Sequence, residues 1–163
     1  MELPPPPPGL TAESSIRIDG DGRFWHDGQL VEHPGLAAAF ASWLAVEPAT
    51  GRYVLRNAVN WCYVTVERTP FVVRAVTEHA GGGLELTLSD GTREPLDTAT
   101  LRLGDDDVPE CRVKDSRFPA RFSRTAAYAL LEHARPCGDG DGDGDGFVVE
   151  LGGELVPLVR RPS

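Results

Sequence analysis

"SRTAAYALLEHARPCGDGDGDGDGFVVEL", residues 123–151, changes character twice. Its first part carries apolar residues at helical spacing, Ala127, Leu130, Leu131 and Ala134, behind Ser123, a residue type that caps helix N-termini. Pro136 then stops the helix. Its last part, "FVVEL", is strongly β-forming. Between them, Asp139, Asp141, Asp143, Gly144 and Glu150 satisfy the spacing of a calcium-binding loop. A calcium hand, however, needs a helix on both sides of that loop, and here the exit is a strand. The eighth loop place, Gly146, also lacks the usual apolar residue. Alternating glycines add an ordering cost of roughly 0.5–1 kcal/mol each relative to Ala. The stretch therefore reads as helix, solvated loop (138–146) and strand, which is the connection of an α+β fold rather than a metal site.

Working outward, the same order recurs earlier in the chain. "HPGLAAAFASWLAVEP" (33–48) predicts a helix with Pro34 in its first turn and Leu36, Phe40, Trp43 and Leu44 on one apolar face. Pro48 ends it, "ATG" turns, and "RYVLR", "WCYVTVE" and "FVVRAVTEH" follow as strands. "SIRIDGDGRFW" predicts a hairpin before that helix. "LELTLSDGTREPL" predicts one closed at Asp90-Gly91, and "TATLRL" and "ECRV" predict further strands. Residues 1–14 are Pro-rich and then small and polar, the composition of a disordered tail with polyproline character. "GGG" at 81–83 marks a boundary. The expected organisation is a tail (1–14), an N-terminal α+β half (15–80) and a C-terminal α+β half (81–163), each half a helix packed on an antiparallel sheet.

The chain has 163 residues and a net charge of −9, which excludes broad nucleic-acid-polymer binding through a basic surface. No apolar run approaches the roughly 18 residues needed to span a bilayer, and the first residues lack a signal-peptide layout. The expectation is a cytoplasmic protein. Cys62, Cys111 and Cys137 have no C-x-x-C spacing, and His26, His33, His79 and His133 are scattered, so neither a metal nor a cofactor is expected.

Four segments, "DGRFWHDGQLVEHPGLAAAFASWLA", "GRYVLRNAVNWCYVTVERTPFVV", "ARFSRTAAYALLEHA" and "ELGGELVPL", occur in an order that resembles the bacterial DUF1285 family of unknown function. "VERTPFVV" is similar to that family's V-E-x-x-P-F segment. The resemblance spans about residues 15–160. It implies two related α+β halves, the second pleckstrin-homology-like, no established enzyme activity, and a suggested nucleotide-like ligand between the halves in a signalling role. The chain departs from the family pattern at "AVNW" (58–61), where Asn60 and Trp61 stand in place of an acid and a lysine, and at "ELGG".

No catalytic constellation is present: there is no G-x-S-x-G, no cysteine in a nucleophilic context and no phosphate-cradling glycine loop. The expectation is thus a non-enzymatic binding module. The most suggestive chemistry is "CRVKDSRFPARFSR", with Arg112, Lys114, Arg117, Arg121 and Arg124 near the start of the second helix, whose N-terminus favours an anion. Fifteen of the sixteen basic residues are Arg, whose fork suits carboxylate or phosphate. Tyr128 lies at i+4 from Arg124 and completes a preferred trio with Arg121. Trp25 with His26, and Trp61 with Tyr63, offer stacking faces. The candidate ligand-binding set is Trp25, Asn60, Glu67, Lys114, Arg121, Arg124 and Tyr128, for a small anionic or nucleotide-like ligand. The alternatives are structural salt bridges to Asp105, Asp106, Asp107 and Asp115, and a protein-interaction module whose exposed strands or Pro-rich tail engage a protein partner. A calcium-responsive protein working through residues 139–150 is a third reading.

Overall fold

The computed structural model of the chain describes residues 3–5, 12–78, 81–104, 106–136, 147–151 and 154–158. Among these, two α-helices and four sheets make an α+β protein. Two compact units divide the chain, Met1–Pro70 and Phe71–Ser163.

The first unit begins with the predicted hairpin. β1 (Arg17–Ile18) pairs antiparallel with β2 (Phe24–His26), which pairs with β3 (Gln29–Leu30). The Asp19 carboxylate closes the turn, accepting from the backbone N–H of Asp21 and of Arg23, both at 2.9 Å, while Gly22 supplies a φ of 81°. α1 (Pro34–Trp43) follows, with Pro34 at its first position and His33 Nδ1 accepting from the Leu36 N–H. The predicted helix runs on through Leu44, but the observed one stops at Trp43. Leu44 turns extended, is buried, and opens β4 (Leu44–Val46), which pairs with β5 (Tyr53–Arg56) and through it with β6 (Trp61–Tyr63). Strand pairing has overridden helical spacing, and Leu36, expected on the buried face, is 43% exposed. β7 (Thr65–Val66) returns parallel beside β1.

Residues 12–14 were expected in the tail, yet they are tied to the sheet: Ala12 is buried and its carbonyl accepts from the Tyr63 N–H at 2.8 Å, while the exposed Glu13 and Ser14 bond to Arg52 and to the Tyr63 carbonyl. Backbone pairing at the edge of the sheet overrides the polar composition of this stretch.

The second unit is built on a six-stranded sheet ordered β10-β9-β8-β13-β12-β11. These are β8 (Phe71–Glu78), β9 (Leu84–Leu88), β10 (Arg93–Pro95), β11 (Arg102–Leu103), β12 (Pro109–Val113) and β13 (Phe118–Phe122). Its period-two pattern is plain: Leu84, Leu86 and Leu88 are buried on β9, and Phe118, Ala120 and Phe122 on β13. "TAT" of the predicted strand is instead a 3-10 turn, Thr98–Thr100, capped by Asp97. The boundary expected at Gly81–Gly83 is displaced. β8 and β9 pair from Val73↔Leu88 to Glu78↔Leu84, so the glycines lie in a hairpin of one sheet, and the units divide at Pro70–Phe71 instead.

α2 (Arg124–Leu131) starts at the predicted cap, where Ser123 Oγ accepts from the Ala126 N–H at 3.1 Å, and it buries Ala126 and Leu130. β14 (Ala134–Pro136), β15 (Phe147–Leu151) and β16 (Glu154–Leu158) then form an antiparallel meander, as β4, β5 and β6 do after α1. The Gly-Asp run lies outside the described residues; its exit is the predicted strand.

Leu86 is fully buried and Leu155 is 61% exposed. Leu86→Ala is therefore expected to destabilise by about 2–5 kcal/mol, read from urea unfolding. Leu155→Ala should stay within about 0.5 kcal/mol of the parent.

Candidate binding surfaces

The basic stretch singled out in the sequence forms the β12–β13 connection. Lys114, Asp115 and Ser116 have φ of 57°, 59° and 62°, three left-handed residues in succession without a glycine. Such backbone costs a non-glycine residue about 1–2 kcal/mol, less for Asp, so bonds from the surroundings must hold it. The Arg117 N–H donates to the Val113 and Lys114 carbonyls. Arg112 donates from Nε to the Ser116 carbonyl at 2.8 Å and from Nη2 to the Arg117 carbonyl at 3.0 Å. Arg117 Nε donates to the Lys114 carbonyl at 3.0 Å, and the Glu94 carboxylate accepts from the Lys114 N–H. Lys114 Nζ reaches Asp90 at 2.9 Å and Thr92 Oγ1 at 2.7 Å. A cleft of about 440 Å³ lies beside the turn, lined by acids and bases alike, among them Glu94, Asp97, Arg112 and Arg117. Burial pushes the Asp90 carboxyl up, but hydrogen bonds from Thr92 and Lys114 outweigh it and leave the group below its ordinary value. Arg112, Lys114 and Arg117 thus brace a turn.

Of the preferred trio, Arg121 on β13 is 16% exposed in its side chain and pairs with Asp106 at 2.6 Å. Arg124, the first residue of α2, is exposed, and its side chain makes no hydrogen bond or ion pair with another described residue. Tyr128, one turn along, is 64% exposed.

In the first unit, Trp25 and Glu67 are brought together through Arg17, a residue the sequence reading passed over. The Arg17 guanidinium lies 4.5 Å from the Trp25 ring centroid and pairs with Glu67 Oε1 at 2.7 Å. Trp25 Nε1 donates to Asp19 Oδ2 at 2.8 Å. Burial raises the Asp19 carboxyl, yet bonds from Trp25 and from the backbone of Arg23 and Asp21 prevail and lower it. The signal for Asp19 was present as "DGDG", whose first Asp is placed to accept from its own turn.

Asn60 sits at the tip of the β5–β6 hairpin, where Asn57 Oδ1 accepts from its N–H at 2.8 Å. Beside it, Trp61 and Tyr63 share one face of β6, with ring centroids 5.1 Å apart at 87°. Arg52 covers the Tyr63 ring at 3.5 Å and forks onto Glu13 at 2.9 and 3.0 Å, which holds the Glu13 carboxyl below its ordinary value. The Tyr63 hydroxyl donates to the Glu47 carboxylate, and burial together with that carboxylate raises the phenol. Trp61 Nε1 donates to the Pro4 carbonyl at 2.6 Å. Trp25, Asn60 and Glu67 therefore belong to the first unit, and Lys114, Arg121, Arg124 and Tyr128 to the second.

Among the described residues, no group of three His, Cys, Asp or Glu side chains could hold a metal ion, and no helix is long and apolar enough to cross a membrane.

Asp115 is exposed and left-handed. Asp115→Gly should therefore raise stability, by up to about 1 kcal/mol, and thermal unfolding would show the unusual sign. Because the folded Asp90 carboxyl lies below its unfolded value, its stabilisation is complete above about pH 4 and lost as pH falls through the folded value. In acid titrations followed by denaturant midpoint, Asp90→Asn should flatten that part of the curve.

No family model matches the chain, and no curated protein matches it. Two solved structures do. A DUF1285 family protein from Silicibacter pomeroyi DSS-3 aligns with a TM-score of 0.72 and 23% identity, over 90% of this chain and 80% of that one. Another, from Shewanella baltica OS155, aligns with a TM-score of 0.63 and 20% identity, over 75% of this chain and 94% of that one. At such identities the likeness is one of fold. The resemblance carried by the four sequence segments is borne out at that level: the chain has the DUF1285 fold.

Proposed function

We propose that the chain is a non-enzymatic binding module that engages a protein partner in the bacterial cytoplasm, in keeping with an adaptor role in signalling. One observation carries this reading: Arg124 and Tyr128 stand open, one helical turn apart on α2, while Lys114 and Arg121 are engaged by Asp90 and Asp106. Arg and Tyr on an exposed helix are the side chains that dominate protein interfaces. Small ligands are held in concave, largely apolar sites instead. The cytoplasmic placement is supported by the unpaired thiols of Cys62 and Cys111.

The two halves are read as related, supported by the order of a helix followed by a three-stranded antiparallel meander in each unit. The pleckstrin-homology-like description of the second half comes from the DUF1285 resemblance alone. A second reading keeps a small anionic, nucleotide-like ligand, favoured by Arg124 at a helix N-terminus where the dipole attracts an anion.

A photo-crosslinking residue in place of the exposed Thr125 tests the two readings. A discrete protein adduct is expected in cells, reduced at least tenfold by Arg124→Glu with Tyr128→Ala, substitutions that should change stability by no more than about 0.5 kcal/mol. Absence of an adduct, together with a nucleotide-induced thermal shift that Arg124→Ala abolishes, would transfer the site to the anionic ligand.

A further inference from the structure

Pro4, from the N-terminal proline tract, and Trp61, from the departure "NW" at 60–61, meet in the structure. Trp61 donates its indole N–H to the carbonyl of Pro4, 57 residues away, and Tyr63 stands at right angles to it on the same strand face. The spacing W-x-Y produces this, because residues two apart on a strand share a face. Pro4 and Pro5 are exposed around the contact, and Trp61 and Tyr63 are half-buried.

The chemistry is selective for proline. A proline has no N–H, so a proline segment cannot extend β6 by ordinary strand pairing. What it offers is a carbonyl that no internal hydrogen bond occupies, on a backbone already ordered as polyproline II, and a flat ring that packs on aromatic side chains. An indole N–H beside a perpendicular phenol ring answers both features. Further along β6 the mode of contact changes: Ala12, which is not a proline, accepts from the Tyr63 backbone N–H, and Ser14 Oγ donates to the Tyr63 carbonyl. Arg52, stacked on Tyr63 and paired with Glu13, and Glu47, held by the Tyr63 hydroxyl, fix the ring that forms the second wall.

We infer that Trp61 and Tyr63 form a proline-reading cradle for a proline-rich segment of a partner protein, and that the chain's own Pro4 is a resident stand-in for that segment. The inference uses residues of the first unit alone and does not depend on Arg124 and Tyr128. It is a docking mode in which pre-ordered polyproline is recognised by aromatic walls. The tethered tail competes at an effective concentration in the millimolar range, so an incoming segment must displace it.

The test follows the Trp61 indole N–H by two-dimensional nitrogen–proton NMR in the full chain, with its peak identified by its loss in Trp61→Phe. The probe is the acetylated peptide of residues 2–10, ELPPPPPGL. Two chains are titrated: the parent, and one with residues 4–8 all changed to serine. A saturable shift is expected in the serine-substituted chain, with an apparent affinity at least tenfold tighter than in the parent, and with the Trp25 and Trp43 indoles unmoved. Tyr63→Phe, which keeps the ring, should retain binding, and Tyr63→Ala should weaken it severalfold. The inference is overturned if neither chain shows saturable binding, leaving Pro4 a strap on its own chain only. Equal affinity in both chains overturns it too, as does equal binding of a peptide with serine at all five proline positions. Dimerisation of the parent that the serine-substituted chain lacks, seen by light scattering, would assign the cradle to a second copy instead and overturn the partner.

Discussion

Three residue pairs, Phe71↔Ala120, Val72↔Arg121 and Val73↔Phe122, join β8 to β13 in parallel and hold the second unit together. On one side of this seam lie β9 and β10, on the other β12 and β11. Parallel neighbours cannot be linked by a tight turn, so these pairs close a loop of dozens of residues before any local contact repays the lost freedom. The seam continues into the helix. The Ser123 N–H donates to the Val73 carbonyl at 2.9 Å, and Ser123 then caps α2. The place where Arg124 and Tyr128 emerge is thus fixed by Val73, in the first part of β8, and a slip of one residue would turn Phe118, Ala120 and Phe122 out of the core.

The first unit has its own centre in Asp19, a buried carboxylate that accepts from two backbone N–H groups, from Arg23 Nε and from Trp25 Nε1. A carboxylate removed from water needs such partners, and here they come from within seven residues of sequence. The hairpin is therefore locally determined, in contrast to the seam of the second unit.

That difference explains what could be read in advance. The alternation of "LELTL", the cap at Ser123 and the turn at Asp90-Gly91 are local signals, and all three appear where they were expected. The end of α1 was not legible, because Leu44 fits a helix face as well as a strand and only its pairing with Leu55 decides. Nor was the left-handed run at 114–116, which has no glycine to announce it. The partners of the basic residues were hardest to read. Lys114 finds Asp90, Thr92 and Glu94, 20 to 24 positions back, and Arg121 finds Asp106, 15 positions back. Charge counting saw the cations gather and named Asp106 among the acids beside them, but it could not see that the sheet would set Asp90 and Glu94 against Lys114.

Cys111 lies at the middle of β12, buried against the sheet, and burial pushes its thiol up to about 12. At neutral pH it is protonated, and the thiolate is the reactive form. Such a sulfur is chemically silent in the closed sheet and reactive once the sheet opens. It is a clock built into the sheet, and the rate at which an alkylating reagent captures it reports how often the six strands part.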